Sequence, residues 1–141
     1  MNFPSYSRRA LTRAGFAASL AMLSLAACGE NPPPTAAASS FQFSALTPEI
    51  GTGGGPVDVR LIHKPSGRPV TDAVIFETRF DMEPDGMGGM AAQAMAQGSP
   101  APGVYRFMVK PTMAGRWALK LSAKVQGEAQ TVRGVVVITV R

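Results

Sequence analysis

The chain has 141 residues, enough for one domain. Its formal net charge is +5, but 3 of its 14 basic residues and none of its 9 acidic residues precede position 28, so the remainder carries only +2, which gives no electrostatic argument for nucleic-acid binding. A single histidine, a single cysteine and the lack of Gly-x-Ser-x-Gly, phosphate-loop or Cys/His zinc motifs argue against an enzyme.

The first 27 residues predict a signal peptide. Arg8, Arg9 and Arg13 precede an apolar run that is shorter than the roughly 20 residues needed to span a bilayer. The run ends in Leu-Ala-Ala-Cys, which resembles the bacterial lipobox and implies cleavage before Cys28, acylation of that residue and membrane anchoring. The alternatives are an ordinary secretory signal with a chance cysteine, or a free thiol. The segment from Ser7 to Leu11 also resembles a twin-arginine export signal.

Residues 28–40 predict a flexible tether. After Cys28 they are rich in proline, alanine and serine, a composition that cannot bury apolar surface. Glycine rather than aspartate follows Cys28, so by resemblance to enterobacterial sorting rules the outer membrane is favoured. We therefore expect a protein on the periplasmic side of the bacterial cell envelope, with its folded domain at residues 41–141.

The remaining sequence predicts an all-β domain. Apolar and polar residues alternate with period two between glycine- and proline-rich turns, and no amphipathic helix is indicated. This pattern predicts one antiparallel, immunoglobulin-like β-sandwich of about seven strands. The predicted strands lie at 41–44, 57–63, 74–82, 104–109, 116–123 and 131–140.

The segment from Phe80 to Met95 is unusual because it contains four of the eight methionines: Met82, Met87, Met90 and Met95. Its proline and glycines predict a flexible loop rather than a strand or a helix. Three carboxylates, those of Asp81, Glu83 and Asp85, lack the spacing of a calcium loop and are interpreted as making the loop soluble.

Two interpretations of these methionines stay open. They could fold back onto the end of the sandwich as apolar packing, or their soft thioethers could bind Cu(I). In the second case Met82, Met87 and Met90 would be ligands. Met113, in a turn expected at the same end, would join them, and His63 would add a nitrogen if its strand ended there.

Three stretches carry a family resemblance: Ala73–Glu77, Gly103–Tyr105 and Met113–Leu119. Together with the methionine-rich segment they resemble the YtkA-like family, which is related to FixH-like domains, over roughly residues 57–140. The resemblance implies a small immunoglobulin-like periplasmic domain associated with copper handling or with assembly of copper-containing respiratory oxidases. Family members often carry a histidine after the methionines; none follows here, which favours Cu(I) over Cu(II).

These observations lead to two functional hypotheses. The first is a lipid-anchored, non-catalytic domain that binds Cu(I) as a chaperone, a tolerance factor or an oxidase-assembly factor, with an envelope protein as partner. The second is a metal-independent interaction module that uses the methionine-rich segment to dock another envelope protein.

Overall fold

The computed structural model describes residues 40–141. The predictions of a signal peptide at 1–27, of a lipidated Cys28 and of all but the last residue of the tether lie outside the described residues.

The described chain forms nine strands and one 3-10 turn, Glu83–Asp85. The strands are β1 (Phe41–Ala45), β2 (Glu49–Ile50), β3 (Gly55–His63), β4 (Arg68–Pro69), β5 (Val74–Met82), β6 (Met87–Ala101), β7 (Val104–Lys110), β8 (Gly115–Lys124) and β9 (Val132–Val140). Because β2 and β4 have two residues each, seven strands are of substantial length, which agrees with the predicted number.

The strands form a curled, immunoglobulin-like β-sandwich. One sheet contains β1, β3, β4 and β7, and the other contains β2, β5, β8 and β9. The long strand β6 joins the two, since it pairs first with β5 and then with β7. All described pairings are antiparallel except the short β2–β9 pairing. No helix within residues 40–141 is long and apolar enough to cross a membrane.

The core lies between the two sheets and includes the large residues predicted to face inward on β8, although Ala118 and Ser122, predicted for its other face, are buried as well. On β8 the side chains of Trp117, Leu119 and Leu121 are buried, and Phe80 on β5 stacks on Trp117 with ring centroids 4.8 Å apart. Across the sandwich, Phe43 on β1 packs against Gly134 on β9, where a Cβ atom would collide with the ring. Glycine at position 134 therefore lets the first strand close over the second sheet.

The prediction for β5 is wrong in its first half. It placed Val74 and Phe76 on the same face as Phe80, but a bulge shifts the register against β8 between Ile75 and Glu77. Ile75 packs against the core, whereas Val74 and Phe76 are 65% and 57% exposed. The extra residue of a bulge reverses which side chains face inward, and period-two counting cannot detect it.

The prediction of a loop after Met82 is also wrong. A 3-10 turn follows Met82 directly, and the chain then enters β6, the longest strand described. Along β6 the small residues Ala92 and Ala94 pack against the core while Gln93 and Met95 are exposed. That alternation was present in the sequence, but its small side chains give a weak period-two signal beside two adjacent glycines.

Candidate metal centre at the methionine-rich end

A bulge in β6 begins directly after Met87 and includes Met90. Met82 pairs with Met87, and the preceding residue Asp81 pairs with Ala91, so three residues of β6 have no counterpart on β5. Those residues are Gly88, Gly89 and Met90. The Arg79 guanidinium donates a 3.0 Å hydrogen bond to the Gly88 carbonyl and holds the base of the bulge. A Cβ atom on Gly89 would meet nothing within 4 Å, so the space beside it is open.

Three thioethers are exposed at this end of the sandwich. Met87 is 38% exposed, Met90 is 41% exposed, and Met113 in the turn before β8 is 42% exposed. We call Met87, Met90 and Met113 the methionine-rich end. The turn that carries Met113 lies close to the end of β5, because Gly115 at the start of β8 lies directly beside Met82 and Asp85.

Met82 does not share this exposure and belongs to the core. Its side chain is only 1% exposed, and its Cε atom lies where a Cβ atom on Gly115 would come within 2.5 Å. Met82, which the sequence predicted as a ligand, is therefore buried, because the inward phase of β5 takes its side chain between the sheets. Gly115, with a φ of +142°, leaves the space that the Met82 methyl group occupies.

The 3-10 turn is tied to β8 by Asp85. Its carboxylate accepts hydrogen bonds from the Arg116 backbone N–H at 2.7 Å and from Arg116 Nε at 2.8 Å. The same guanidinium donates to the Pro84 carbonyl at 2.8 Å. The backbone bond, followed by the side-chain bond, lowers the pKa of Asp85. The turn that precedes Met87 is thereby fixed next to the turn that carries Met113.

A buried carboxylate lies beneath the bulge. Asp81 is fully buried and accepts hydrogen bonds from Arg79 Nε at 2.6 Å, Lys120 Nζ at 3.0 Å and the Glu83 backbone N–H at 3.2 Å. Burial alone would raise the pKa of Asp81, but these bonds outweigh it and lower the pKa below its usual 3.8. Lys120 also pairs with Glu83 at 2.6 Å.

The interpretation of the three carboxylates as loop-solubilising groups is consequently wrong for Asp81 and Asp85, which are structural. Only Glu83, with 63% of its side chain exposed, fits that interpretation. The sequence places Asp81 and Lys120 on strands but does not give the register that brings them together.

Three cationic side chains near the methionine-rich end pair with the three carboxylates of Asp81, Glu83 and Asp85; the cations are those of Arg79, Lys120 and Arg116. Lys110, exposed at the end of β7 just before the Met113 turn, is not part of these ion pairs. In residues 40–141 no group of three or more His, Cys, Asp or Glu side chains is placed to hold a metal ion.

Residues 35–122, well over half of the chain, match the family model described as YtkA-like. The chain belongs to the YtkA-like family. Among solved structures, the filamin domain of Lin-41 is similar over 72% of this chain and 92% of its own, with 13% identity and a TM-score of 0.44. The adhesin InvE of Yersinia pseudotuberculosis is similar over 73% of this chain and 26% of its own, with 17% identity and a TM-score of 0.42. No curated protein matches the chain.

In this YtkA-like domain the segment Met113–Leu119, which carried the resemblance, builds one side of the methionine-rich end. The indole Nε1 of Trp117 donates a 3.1 Å hydrogen bond to the Met113 carbonyl. Because Trp117 is fully buried, this bond fixes the backbone of the turn while the Met113 side chain stays exposed.

His63 lies at the opposite end of the YtkA-like domain, so the prediction that it joins the methionines is wrong. It is the last residue of β3, whereas the first residue of β3, Gly55, pairs with Val109 just before the Met113 turn. A nine-residue strand is about 30 Å long. The His63 ring packs against Phe41 and its Nδ1 lies 2.9 Å from the Ser66 hydroxyl, which gives it a local structural role.

Proposed function

We propose that this YtkA-like domain binds Cu(I) through the thioethers of Met87, Met90 and Met113 and serves in copper handling, as a chaperone, a tolerance factor or an oxidase-assembly factor. The observation that supports this is the exposure of all three side chains, whereas Met82 at the same end of the sandwich is buried. The proposal includes no catalytic step.

The residues present fit a soft, singly charged ion. Thioether sulfur is a soft donor that favours Cu(I), whereas carboxylate oxygen suits harder cations. The nearby carboxylates are already paired with Arg79, Arg116 and Lys120, so the thioethers are the free donors at this end. A Cβ atom on Gly89 would meet nothing within 4 Å, so there is open space next to Met90, and Arg79 holds the nearby Gly88 carbonyl in place.

The proposed location is the periplasmic side of the cell envelope, with the outer membrane favoured. It depends on Cys28, whose sequence context resembles a lipobox. Diacyl modification at that residue would anchor the chain stably, because two acyl chains bury many methylenes at about 0.8 kcal/mol each. A membrane-tethered domain of this kind would collect or deliver Cu(I) close to the partners that use it.

The second candidate function is protein docking without metal. Its support is Met95, which is 42% exposed on β6 outside the bulge and enlarges the exposed apolar surface beyond what an ion requires. Flexible methionine surfaces adapt to different partners. Under this account an envelope protein would bind the methionine-rich end in the same way with and without copper.

Anaerobic titration of the full-length protein with Cu(I), against a competing chelator, tests the first function. The Cys28→Ser background removes the only thiol. We expect binding that weakens by about tenfold or more in a Met87→Leu, Met90→Leu variant. The matched control is Met95→Leu, which changes an equally exposed methionine outside the bulge and should leave the affinity unchanged.

Equal affinity in the double variant and in the control would refute the Cu(I) proposal. An envelope partner that copurifies with the wild type, is lost in the double variant and is indifferent to copper would support docking instead.

A further inference from the structure

The sulfur atoms of the methionine-rich end can be reached without unfolding of the domain. Met87, Met90 and Met113 are 38–42% exposed, and within residues 40–141 no hydrogen bond involves their sulfurs. The described chain begins at Ser40, whose carbonyl accepts a hydrogen bond from the Lys64 backbone N–H at the other end of the sandwich. In the part of the chain that the structure describes, the three thioethers are therefore open to small molecules.

Met82 lies at the same end of the sandwich but is inaccessible. It is 1% exposed, and its methyl group fills the space beside Gly115. Oxidation of a buried methionine places a polar oxygen among apolar side chains, which disrupts a core. A methionine at the surface can gain an oxygen while the packing beneath it, which includes Phe80 and Trp117, stays unchanged.

Met95 differs from the three methionines of this end, although it is 42% exposed. Its Sδ atom accepts a 3.7 Å hydrogen bond from the Gln93 side-chain amide, so one lone pair of the sulfur is engaged. Its cross-strand neighbour is Met108 on β7, which places Met95 on the face of a sheet rather than at the methionine-rich end. Met95 and Met82 are thus two internal references, one exposed but elsewhere and one at the same end but buried.

No thiol in the described domain competes with these thioethers for an oxidant. Residues 40–141 contain no cysteine, and their one tryptophan, Trp117, is fully buried. A peroxide oxidises a thioether by transfer of one oxygen atom. The sulfur lone pair attacks a peroxide oxygen, the O–O bond breaks, and the sulfur keeps that oxygen as a sulfoxide while the peroxide is reduced to water. The reaction requires only that the sulfur be reachable.

We propose that Met87, Met90 and Met113 form a reversible oxidation site, which takes oxygen from a peroxide and is restored by a methionine sulfoxide reductase. The reductase step returns the thioether: two thiols are oxidised to a disulfide and the sulfoxide oxygen leaves as water. A sulfoxide presents oxygen, a harder donor than thioether sulfur, so the oxidised end no longer suits Cu(I). This consequence for copper rests on the proposed function, whereas the oxidation itself does not.

Tandem mass spectrometry of the full-length Cys28→Ser protein, after brief treatment with hydrogen peroxide, tests the oxidation site. We expect sulfoxide to form at Met87, Met90 and Met113 at least about tenfold faster than at Met82, and at equal rates in all four once urea has unfolded the domain. The urea midpoint should not change on oxidation, and methionine sulfoxide reductases with a dithiol should restore all three. Equal rates in the folded protein, a lowered urea midpoint or sulfoxides that the reductases do not reach would overturn the proposal.

Anaerobic Cu(I) titration of the same samples, after the peroxide has been removed, tests the consequence for copper. A Met95→Leu substitution in the same background removes the exposed methionine outside this end. We expect the Cu(I) affinity to fall by about tenfold or more on oxidation and to recover after the reductase step. Untreated protein that binds no Cu(I) would refute the proposed function and leave the oxidation result standing. Unchanged affinity after full oxidation of the three methionines would overturn the link between oxidation and copper.

Discussion

The Asp81 carboxylate, fully buried, lies 3.0 Å from the ammonium group of Lys120 on the neighbouring strand. Arg79 and the Glu83 backbone N–H complete its hydrogen bonds. This contact fixes β5 beside the bulge in β6, because Asp81 pairs with Ala91, the residue that directly follows Met90. A buried and paired carboxylate therefore lies directly next to the strand segment that carries Met90.

Replacing Asp81 with asparagine should destabilise the domain strongly. Removal of one partner of a buried ion pair costs about 3–5 kcal/mol, and we expect a value near the lower end because Arg79 and Lys120 are partly exposed and can rehydrate. Urea denaturation measures the change. Glu83→Gln, at an exposed carboxylate, is the control and should cost less than about 1 kcal/mol. Equal losses in the two variants would show that burial of Asp81 is not what matters.

Low pH should destabilise the domain because it protonates carboxylates that are hydrogen-bonded in the folded state. The pKa of Asp81 is lowered in the folded state, so the unfolded chain binds the proton first as the pH falls through 3.8. The stability that Asp81 contributes is complete above that value and is lost as the pH falls toward the folded pKa. Asp85 acts in the same direction, and so does Asp58, whose pKa is lowered by hydrogen bonds from the Arg106 guanidinium. Urea midpoints from about pH 6 to about pH 2 should therefore fall less steeply in Asp81→Asn than in the wild type. Parallel curves would contradict this assignment.

Gly115→Ala should destabilise the packing of Met82 beside the methionine-rich end. An added Cβ atom would lie 2.5 Å from Met82 Cε and 2.8 Å from Asp85 Oδ2, at a φ that side chains rarely adopt. Overpacking of this kind costs about 1–3 kcal/mol, measurable by thermal or urea denaturation. Gly89→Ala is the matched control, because a Cβ atom there meets nothing within 4 Å, and its effect should stay within about 0.5 kcal/mol. A harmless Gly115→Ala would mean that Met82 can leave this packing.

Cys28→Ser tests the proposed anchor. If Cys28 is acylated, the variant should leave the membrane fraction or remain unprocessed, and it should not incorporate a fatty-acid analogue supplied to growing cells. Fractionation and labelling of whole cells give both readouts. Persistent labelling of the serine variant would rule out this cysteine as the lipidation site.

The alternation of apolar residues predicted most of the fold. Period-two patterns on β7 and β8 are strong because large side chains such as Phe107, Trp117 and Leu119 mark the buried face. The period-two pattern is weak on β6, because alanines mark its buried face and Gly88 and Gly89 suggest a loop. Local patterns show where a strand lies when its side chains are large, but not when they are small.

The candidate site was less accessible to sequence reasoning because it depends on register and strand length. The expectation for the Met113 turn depended only on the alternation of turns between the two ends of a sandwich, and the turn lies beside the end of β5. The burial of Met82 follows from the phase of β5 after its bulge, and the remote position of His63 follows from the direction of β3. The ion pair between Asp81 and Lys120 joins residues that are 39 positions apart in the sequence, so it could be predicted only from the pairing of β5 with β8.

X-ray absorption at the copper edge tests the central claim most directly. The sample is the full-length protein in the Cys28→Ser background, loaded with Cu(I) under anaerobic conditions. Sulfur neighbours of the metal can then come only from methionine, since the chain has no other cysteine. We expect sulfur scattering that is reduced in the Met87→Leu, Met90→Leu variant, where Met113 is the one proposed ligand left, and unchanged in Met95→Leu. A spectrum with only nitrogen or oxygen neighbours, or sulfur scattering unchanged in the double variant, would contradict that claim.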